Sequence, residues 1–227
     1  MRLLRDITAG VVCLLLTSCS ESPREAPESM LSQSDAEHTA GQDHHREPGG
    51  EPATHDVTSR SGPENRPLSV GDRVPDFEVT LDGRTWKLSE LRENRDMTLD
   101  GTLVLMFWCS FCHSCRDMEQ ELNRLARQYR GKAGVIALDA SAGETRESVA
   151  AFAKENELTM PIALNANGSV ADIFGVNATT TTAVIDSTGT LRYLGQFQDH
   201  RHTYALDALK AVLAGTEVTI SRTRPSG

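Results

Sequence analysis

Three cysteines stand three residues apart in Phe107-Trp108-Cys109-Ser110-Phe111-Cys112-His113-Ser114-Cys115-Arg116. The last two make a C-x-x-C that follows the apolar run 102–108. It opens a stretch, 112–129, in which Met118, Leu122, Leu125, Ala126 and Tyr129 recur at helical spacing. A thiol at a helix start meets unsatisfied backbone N–H groups and the positive end of the macrodipole, and both favour the thiolate. Cys112 is therefore expected to ionise readily, and Cys115, one turn inside, is not. This division makes Cys112 the thiol that attacks a disulfide. Cys115 then resolves the mixed disulfide by closing a redox-active Cys112 to Cys115 bridge. His113 between them can add positive charge. A structural zinc site needs a second ligand pair at matching spacing, and no Cys follows Cys115. The reading is therefore redox chemistry by the thiols themselves, with no cofactor and no metal.

The elements that must hold this turn can be traced along the chain. Residues 102–108 read as a central strand covered on both faces. Upstream, apolar alternation over 77–81 and 84–88 around Asp82-Gly83 predicts a hairpin, and a short helix follows from Ser89. Gly131 stops the Cys-bearing helix. Next come a strand at 135–138, a helix at 147–156 with Val149, Phe152 and Ala153 inward, and a short strand at 161–164. Ser169 is expected to cap a helical turn ending at Phe174. A second hairpin, 181–185 with 191–194, turns through Asp186-Ser187-Thr188-Gly189, and a helix over 203–213 ends at Gly215. Alternating strands and helices imply an α/β sandwich on a mixed sheet. The basic residues of 216–227 are expected to be a flexible, frayed tail.

Residues 1–19 carry Arg2 and Arg5, a short apolar stretch and Leu16-Thr17-Ser18-Cys19, the pattern of an export signal. Small residues directly before Cys19 resemble a bacterial lipobox, so Cys19 is the expected lipidation site and mature N-terminus. The alternative is an ordinary secretory signal with an incidental Cys. Cys13 leaves with the peptide. Export places the remaining thiols where disulfides persist, on the extracytoplasmic (periplasmic) side of a membrane. Residues 20–69 are rich in Glu, Pro, Ser, Gly and His, and no aromatic residue precedes Phe77, so this segment is expected to be a disordered polar tether. Its histidines, His38, His44, His45 and His55, read as solvent-exposed filler.

The composition agrees with a single core preceded by extra sequence: 227 residues, 38% hydrophobic, net charge −9. An acidic balance of 32 Asp+Glu against 23 Lys+Arg offers no basic footprint for phosphate backbones, so nucleic acid is not an expected partner.

Val74-Pro75-Asp76-Phe77, Leu81-Asp82-Gly83, Leu88-Ser89-Glu90-Leu91, the strand into Phe107-Trp108, the Cys112 to Arg116 motif, Phe174-Gly175-Val176 and Val184-Ile185-Asp186 occur in that order. Over residues 70–213 the chain thus resembles the thioredoxin-fold redoxins (AhpC/TSA-type domains), in particular the membrane-tethered TlpA/ResA thiol-disulfide oxidoreductases. The resemblance implies a thioredoxin-like three-layer sandwich with a central mixed sheet, an N-terminal β-hairpin and a central helical insertion. It maps the nucleophile and resolving thiol onto Cys112 and Cys115. It also implies a monomer with protein thiol or disulfide substrates, a membrane electron donor and a lipid anchor.

Departures from the family pattern bear on the site. Cys109 stands where the family has a small residue, either as a buried hydrophobe or as a third functional thiol. Thr180 stands where such proteins usually carry a cis-proline. A non-proline cis peptide costs about 2.5–4 kcal/mol, so a trans bond is expected there, with room beside the thiols; Thr179 and Thr180 remain candidate contacts for an extended substrate. Peroxide reductases place Pro and Thr seven and three residues before their reactive Cys. Here those positions are Leu105 and Cys109 for Cys112, and Thr102 and Met106 for Cys109, so thiol peroxidase is the weakest reading. The alternative of another class is a Sco-like copper-binding or copper-delivery protein, with Cys112, Cys115, His200 and His202 as metal ligands.

Overall fold

A computed structural model describes residues 66–224. Cys19, the tether histidines and the expected signal segment lie outside the described residues. The chain runs through β1 (Glu78–Leu81), β2 (Arg84–Lys87), α1 (Leu88–Glu93), β3 (Leu103–Trp108), α2 (His113–Tyr129) and β4 (Gly134–Asp139). It continues through α3 (Arg146–Glu155), β5 (Ile162–Leu164), α4 (Ser169–Phe174), β6 (Thr181–Ile185), β7 (Leu191–Gln196) and α5 (Tyr204–Leu213). Among the described residues no helix is long and apolar enough to cross a membrane.

One mixed sheet joins all seven strands in the order β2-β1-β5-β4-β3-β6-β7. β3 runs parallel to β4 and antiparallel to β6, and every residue of β3 and of β4 is buried. Strict alternation along β3 divides the core. Val104, Met106 and Trp108 pack with Leu122 and Leu125 of α2, Val149 of α3 and Leu209 of α5. Leu103, Leu105 and Phe107 pack with Leu91 of α1 and Val170 and Phe174 of α4 on the other face. This is the three-layer thioredoxin-like sandwich. The α3 and β5 segment, between β4 and α4, is its central insertion, and β1 and β2 its N-terminal hairpin. The hairpin turns on Asp82 and Gly83, both with left-handed backbone (φ 52° and 78°), which matches the twist of the paired strands.

Two expectations need correction. Ser169 is the first residue of α4 rather than its cap; the cap is Gly168, left-handed at φ 70°, a conformation that a serine adopts only with strain. The C-terminal segment is not frayed up to Arg224. Arg222 bridges to Leu194 in parallel, Thr223 N–H donates to the Leu194 carbonyl at 3.3 Å, and the Thr223 hydroxyl accepts the Gln196 N–H at 2.7 Å. Tyr193 Oη lies 2.9 Å from the same hydroxyl. The approach explains Gly195: a Cβ there would stand 2.7 Å from the Thr223 backbone nitrogen. The tail thus satisfies the outer edge of β7, an edge that would otherwise present unpaired backbone groups.

Thr223→Val keeps the shape and removes the acceptor for the Gln196 N–H. It is expected to destabilise the protein by about 1–3 kcal/mol, read as a lower urea midpoint with an unchanged slope; an unchanged midpoint would show that the tail contributes nothing.

Candidate active site

The buried strand β3 delivers the chain into a tight turn at its C-terminal end, where the Cys112 N–H donates to the Cys109 carbonyl at 3.3 Å. α2 starts immediately after. Cys112 has extended backbone (φ −78°, ψ 117°) and is the N-cap of α2, its sulfur accepting the Cys115 N–H at 3.1 Å. This is the role that Ser, Thr, Asp or Asn usually fills. The Thr179 hydroxyl lies 3.0 Å from the same sulfur and donates to it when the thiol is ionised. All three described cysteines are free thiols; Cys112 is half-buried, and Cys109 and Cys115 are buried.

The three sulfurs differ in acidity for physical reasons. Burial acts to raise Cys112, but hydrogen bonds from Cys115, from Thr179 and from the Cys115 and Ser114 N–H groups outweigh it, and its pKa falls below the usual thiol value. Cys115 is pushed up to about 12, mainly by burial and by the Cys112 sulfur beside it. Cys109 is also raised, first by burial and then by the charges of Cys112, Glu144 and Asp139, against a hydrogen bond from Ser141. The arrangement holds one ready thiolate and one protonated thiol within a single turn of helix, the pair that stepwise disulfide exchange needs. His113 is exposed at the first helical position, and the groups that reach the Cys112 sulfur come from Cys115, Thr179 and Ser114.

Thr180 lies between β6 and Thr179, whose hydroxyl meets the Cys112 sulfur. No peptide bond among the described residues is cis, so the bond into Thr180 is trans. Its backbone is left-handed at φ 66° and its N–H donates to the Phe107 carbonyl at 2.7 Å. A β-branched residue in that region is strained. The strain sits where it presents Thr179, its neighbour, to Cys112. Phe111, beside Cys112, is 68% exposed.

The metal-binding set is not assembled. Among the described residues no three His, Cys, Asp or Glu side chains are grouped to hold a metal ion. His202 instead stacks on Tyr204, with ring centroids 5.2 Å apart, and its Nδ1 lies 3.5 Å from Asp199 Oδ1. Cys112, Cys115, His200 and His202 thus do not form a shared ligand site.

Sequence reading missed the carboxylates beneath the turn. Asp139, at the C-terminal end of β4, pairs in register with Trp108 and is 1% exposed. Glu144 accepts the Ser110 N–H at 3.1 Å and also bonds the Ser110 hydroxyl. Glu119 of α2, 4% exposed, accepts the Trp108 indole N–H at 3.0 Å. For Asp139 the available signal was a carboxylate ending an otherwise apolar strand, on the edge of the sheet where α/β proteins build their sites.

The fold and the C-x-x-C at the start of α2 define a thioredoxin-like protein of the thiol-disulfide oxidoreductase class. Residues 70–194 match the AhpC/TSA family, more than half of the chain, and the chain belongs to that family. It is 30% identical over 127 residues to the thioredoxin-like protein YneN of Bacillus subtilis, covering 55% of this chain and 70% of that one. It is 31% identical over 130 residues to the thiol-disulfide oxidoreductase ResA of Geobacillus thermodenitrificans, covering 57% and 70%. Among solved structures, a hypothetical protein from Sinorhizobium meliloti superposes with a TM-score of 0.62 at 25% identity, over 71% of this chain and 93% of that one. A thioredoxin-like protein in its oxidised form superposes at 0.54 and 19% identity, over 66% and 100%, a likeness of fold alone.

Thr179→Val removes the hydroxyl from the Cys112 sulfur. Cys112 alkylation by iodoacetamide near neutral pH is expected to slow about tenfold, the value of one hydrogen bond to a charged group, and its pH inflection to move upward. An unchanged profile would remove Thr179 from the site.

Proposed function

We propose that the protein is an extracytoplasmic, membrane-tethered thiol-disulfide oxidoreductase in which Cys112 is the nucleophile and Cys115 the resolving thiol. The observation that carries this reading is the Cys112 sulfur capping α2 beneath the Thr179 hydroxyl while Cys115 behind it stays protonated. In the reductive direction the Cys112 thiolate attacks one sulfur of a substrate disulfide, and the departing substrate thiolate takes a proton. Cys115 then loses its proton and attacks Cys112, closing the bridge and releasing the second substrate thiol. The two cysteines supply both electrons, and no cofactor enters the step. A membrane electron donor returns the bridge to thiols.

The substrates we propose are protein disulfides presented on an extended segment. The Cys112 sulfur is half-buried, so a partner must bring its disulfide to the rim of the turn, beside exposed Phe111 and the loop holding Thr179 and Thr180. Exchange depends on pH with a defined sign. Because the Cys112 pKa is lowered, the thiolate and the rate of its attack are lost as pH falls through that lowered value, and the rate of that first step is level above it.

Two experiments test the proposal. With a small aromatic disulfide as oxidant, Cys112→Ser is expected to abolish exchange, whereas a variant combining Cys109→Ser and Cys115→Ser is expected to stop at a stable mixed disulfide on Cys112. Exchange retained without Cys112 would refute the assignment. For the anchor, the full chain expressed in a bacterial host is expected to incorporate labelled fatty acid and sediment with membranes. Cys19→Ser should lose the label; a label that persists would place lipidation elsewhere.

A further inference from the structure

The exchange above leaves Cys109 unused, although this thiol stands at the base of the same turn. It is 3% exposed and follows β3 directly. The hydrogen bond from Cys112 N–H to the Cys109 carbonyl, 3.3 Å, closes a four-residue turn. Such a turn holds its end Cα atoms within about 7 Å, close to the roughly 4.4–6.8 Å that a disulfide spans. The Cys109 backbone also bears on the Cys115 thiol, acting to lower its pKa. The three thiols are thus neighbours, with Cys112 between the other two in sequence.

Behind Cys109 lies a built proton site. Ser141 is a neighbour of both the Cys109 thiol and the Asp139 carboxyl and acts to lower the pKa of each. Asp139 Oδ1 accepts the Ser141 N–H at 2.8 Å, while Oδ2 is fully buried with no hydrogen-bond donor. The Glu144 carboxyl faces Asp139 and is itself fixed on Ser110. Two facing carboxylates cannot satisfy one another when both are ionised, and a buried acceptor left unmet costs about 1–3 kcal/mol. One proton between them satisfies both. Burial, reinforced by Glu144, accordingly raises Asp139 to about 6, so near neutral pH the pair is open to accept a proton.

Building on the Cys112 reading, we propose that Cys109 is a second resolving thiol, closing an alternative Cys109 to Cys112 disulfide, and that the Asp139 and Glu144 carboxyls take its proton through Ser141. The step balances. In the mixed disulfide of Cys112 with a substrate, the Cys109 S–H passes its proton by way of the Ser141 hydroxyl to the carboxylate pair. The Cys109 sulfur attacks Cys112 Sγ, a bond forms between them, and the bond from Cys112 to the substrate sulfur breaks. The substrate leaves as a thiolate and is protonated. Two cysteine thiols are oxidised and one substrate disulfide is reduced, as with Cys115. At rest burial, with the charges of Cys112, Glu144 and Asp139, holds Cys109 protonated, so it does not compete with Cys112 for the first attack.

The test is the full-length chain carrying Cys115→Ser, with Cys13→Ser and Cys19→Ser so that Cys109 and Cys112 are its remaining thiols, reacted with 5,5′-dithiobis(2-nitrobenzoate). Two equivalents of coloured thiolate are expected, the second released more slowly, and peptide mapping without reduction should find a Cys109 to Cys112 disulfide. Adding Cys109→Ser should cut the release to one equivalent. Asp139→Asn in the Cys115→Ser background is expected to slow the second release, relative to the first, at least about tenfold and to abolish its inflection near pH 6; Glu144→Gln provides the same reading if Asp139→Asn does not fold. A single equivalent from Cys115→Ser, with a persistent adduct on Cys112, would overturn the role of Cys109 and leave the Cys112 to Cys115 pair standing. A second release insensitive to both carboxylate variants would overturn the proton site. No release from the chain that keeps Cys109, Cys112 and Cys115 but lacks Cys13 and Cys19 would refute the Cys112 reading beneath both.

Discussion

The site depends on one interaction: a sulfur does the work of a helix cap. The first N–H groups of any helix lack partners within it, and in α2 the Cys115 N–H finds its acceptor in the Cys112 side chain. A thiolate fills that role better than a thiol, because it accepts more strongly and carries the charge that the helix N-terminus favours. Capping and ionisation are thus a single equilibrium. The strand before the turn fixes where it happens. β3 is buried along its whole length between β4 and β6, so the chain leaves the core at a defined edge and the cap cannot wander.

Everything near this cap sorts protons by burial. Cys112 sits at the rim with donors around it, whereas Cys115 lies one turn deeper, fully buried against the core that α2 shares with β3. Asp139 and Glu144 form a second layer beneath, Glu144 linked to the turn through Ser110 and Asp139 holding the Ser141 N–H. The β6 loop closes the opposite side. There the left-handed backbone of Thr180, anchored on the Phe107 carbonyl, puts the Thr179 hydroxyl on the sulfur. A proline would have no N–H for that anchor, and its ring would fix φ near −65°, so this loop reaches the thiols by a route of its own.

Much of this was legible in the residues. The Asp82-Gly83 hairpin, the apolar run of β3, the spacing of α2 and its stop at Gly131 are local signals, and each element formed within a residue or two of where it was expected. The C-x-x-C read correctly as a helix start for the same reason: strand, turn and helix are contiguous. What stayed hidden was built from distant parts of the chain. Asp139 and Glu144 meet Cys109 only because β4 lies beside β3, and Thr179 reaches Cys112 across 67 positions. The tail read as frayed from its composition, yet Thr223 is held by the backbone of β7, a partner that no local pattern announces. His200 and His202 illustrate the converse: metal-binding residue types that the fold does not bring together with the thiols.

The most direct test of the account is the thiol-disulfide equilibrium of the protein itself. Full-length protein free of added metal would be equilibrated across glutathione redox buffers, quenched by alkylation and mapped by mass spectrometry. The prediction is a reversible intramolecular disulfide that always includes Cys112, with Cys115 as its main partner, and, among Cys109, Cys112 and Cys115 in the reduced state, one fast-alkylating thiol, Cys112. A Cys112 that stays reduced throughout, or alkylates no faster than buried Cys115, would contradict it.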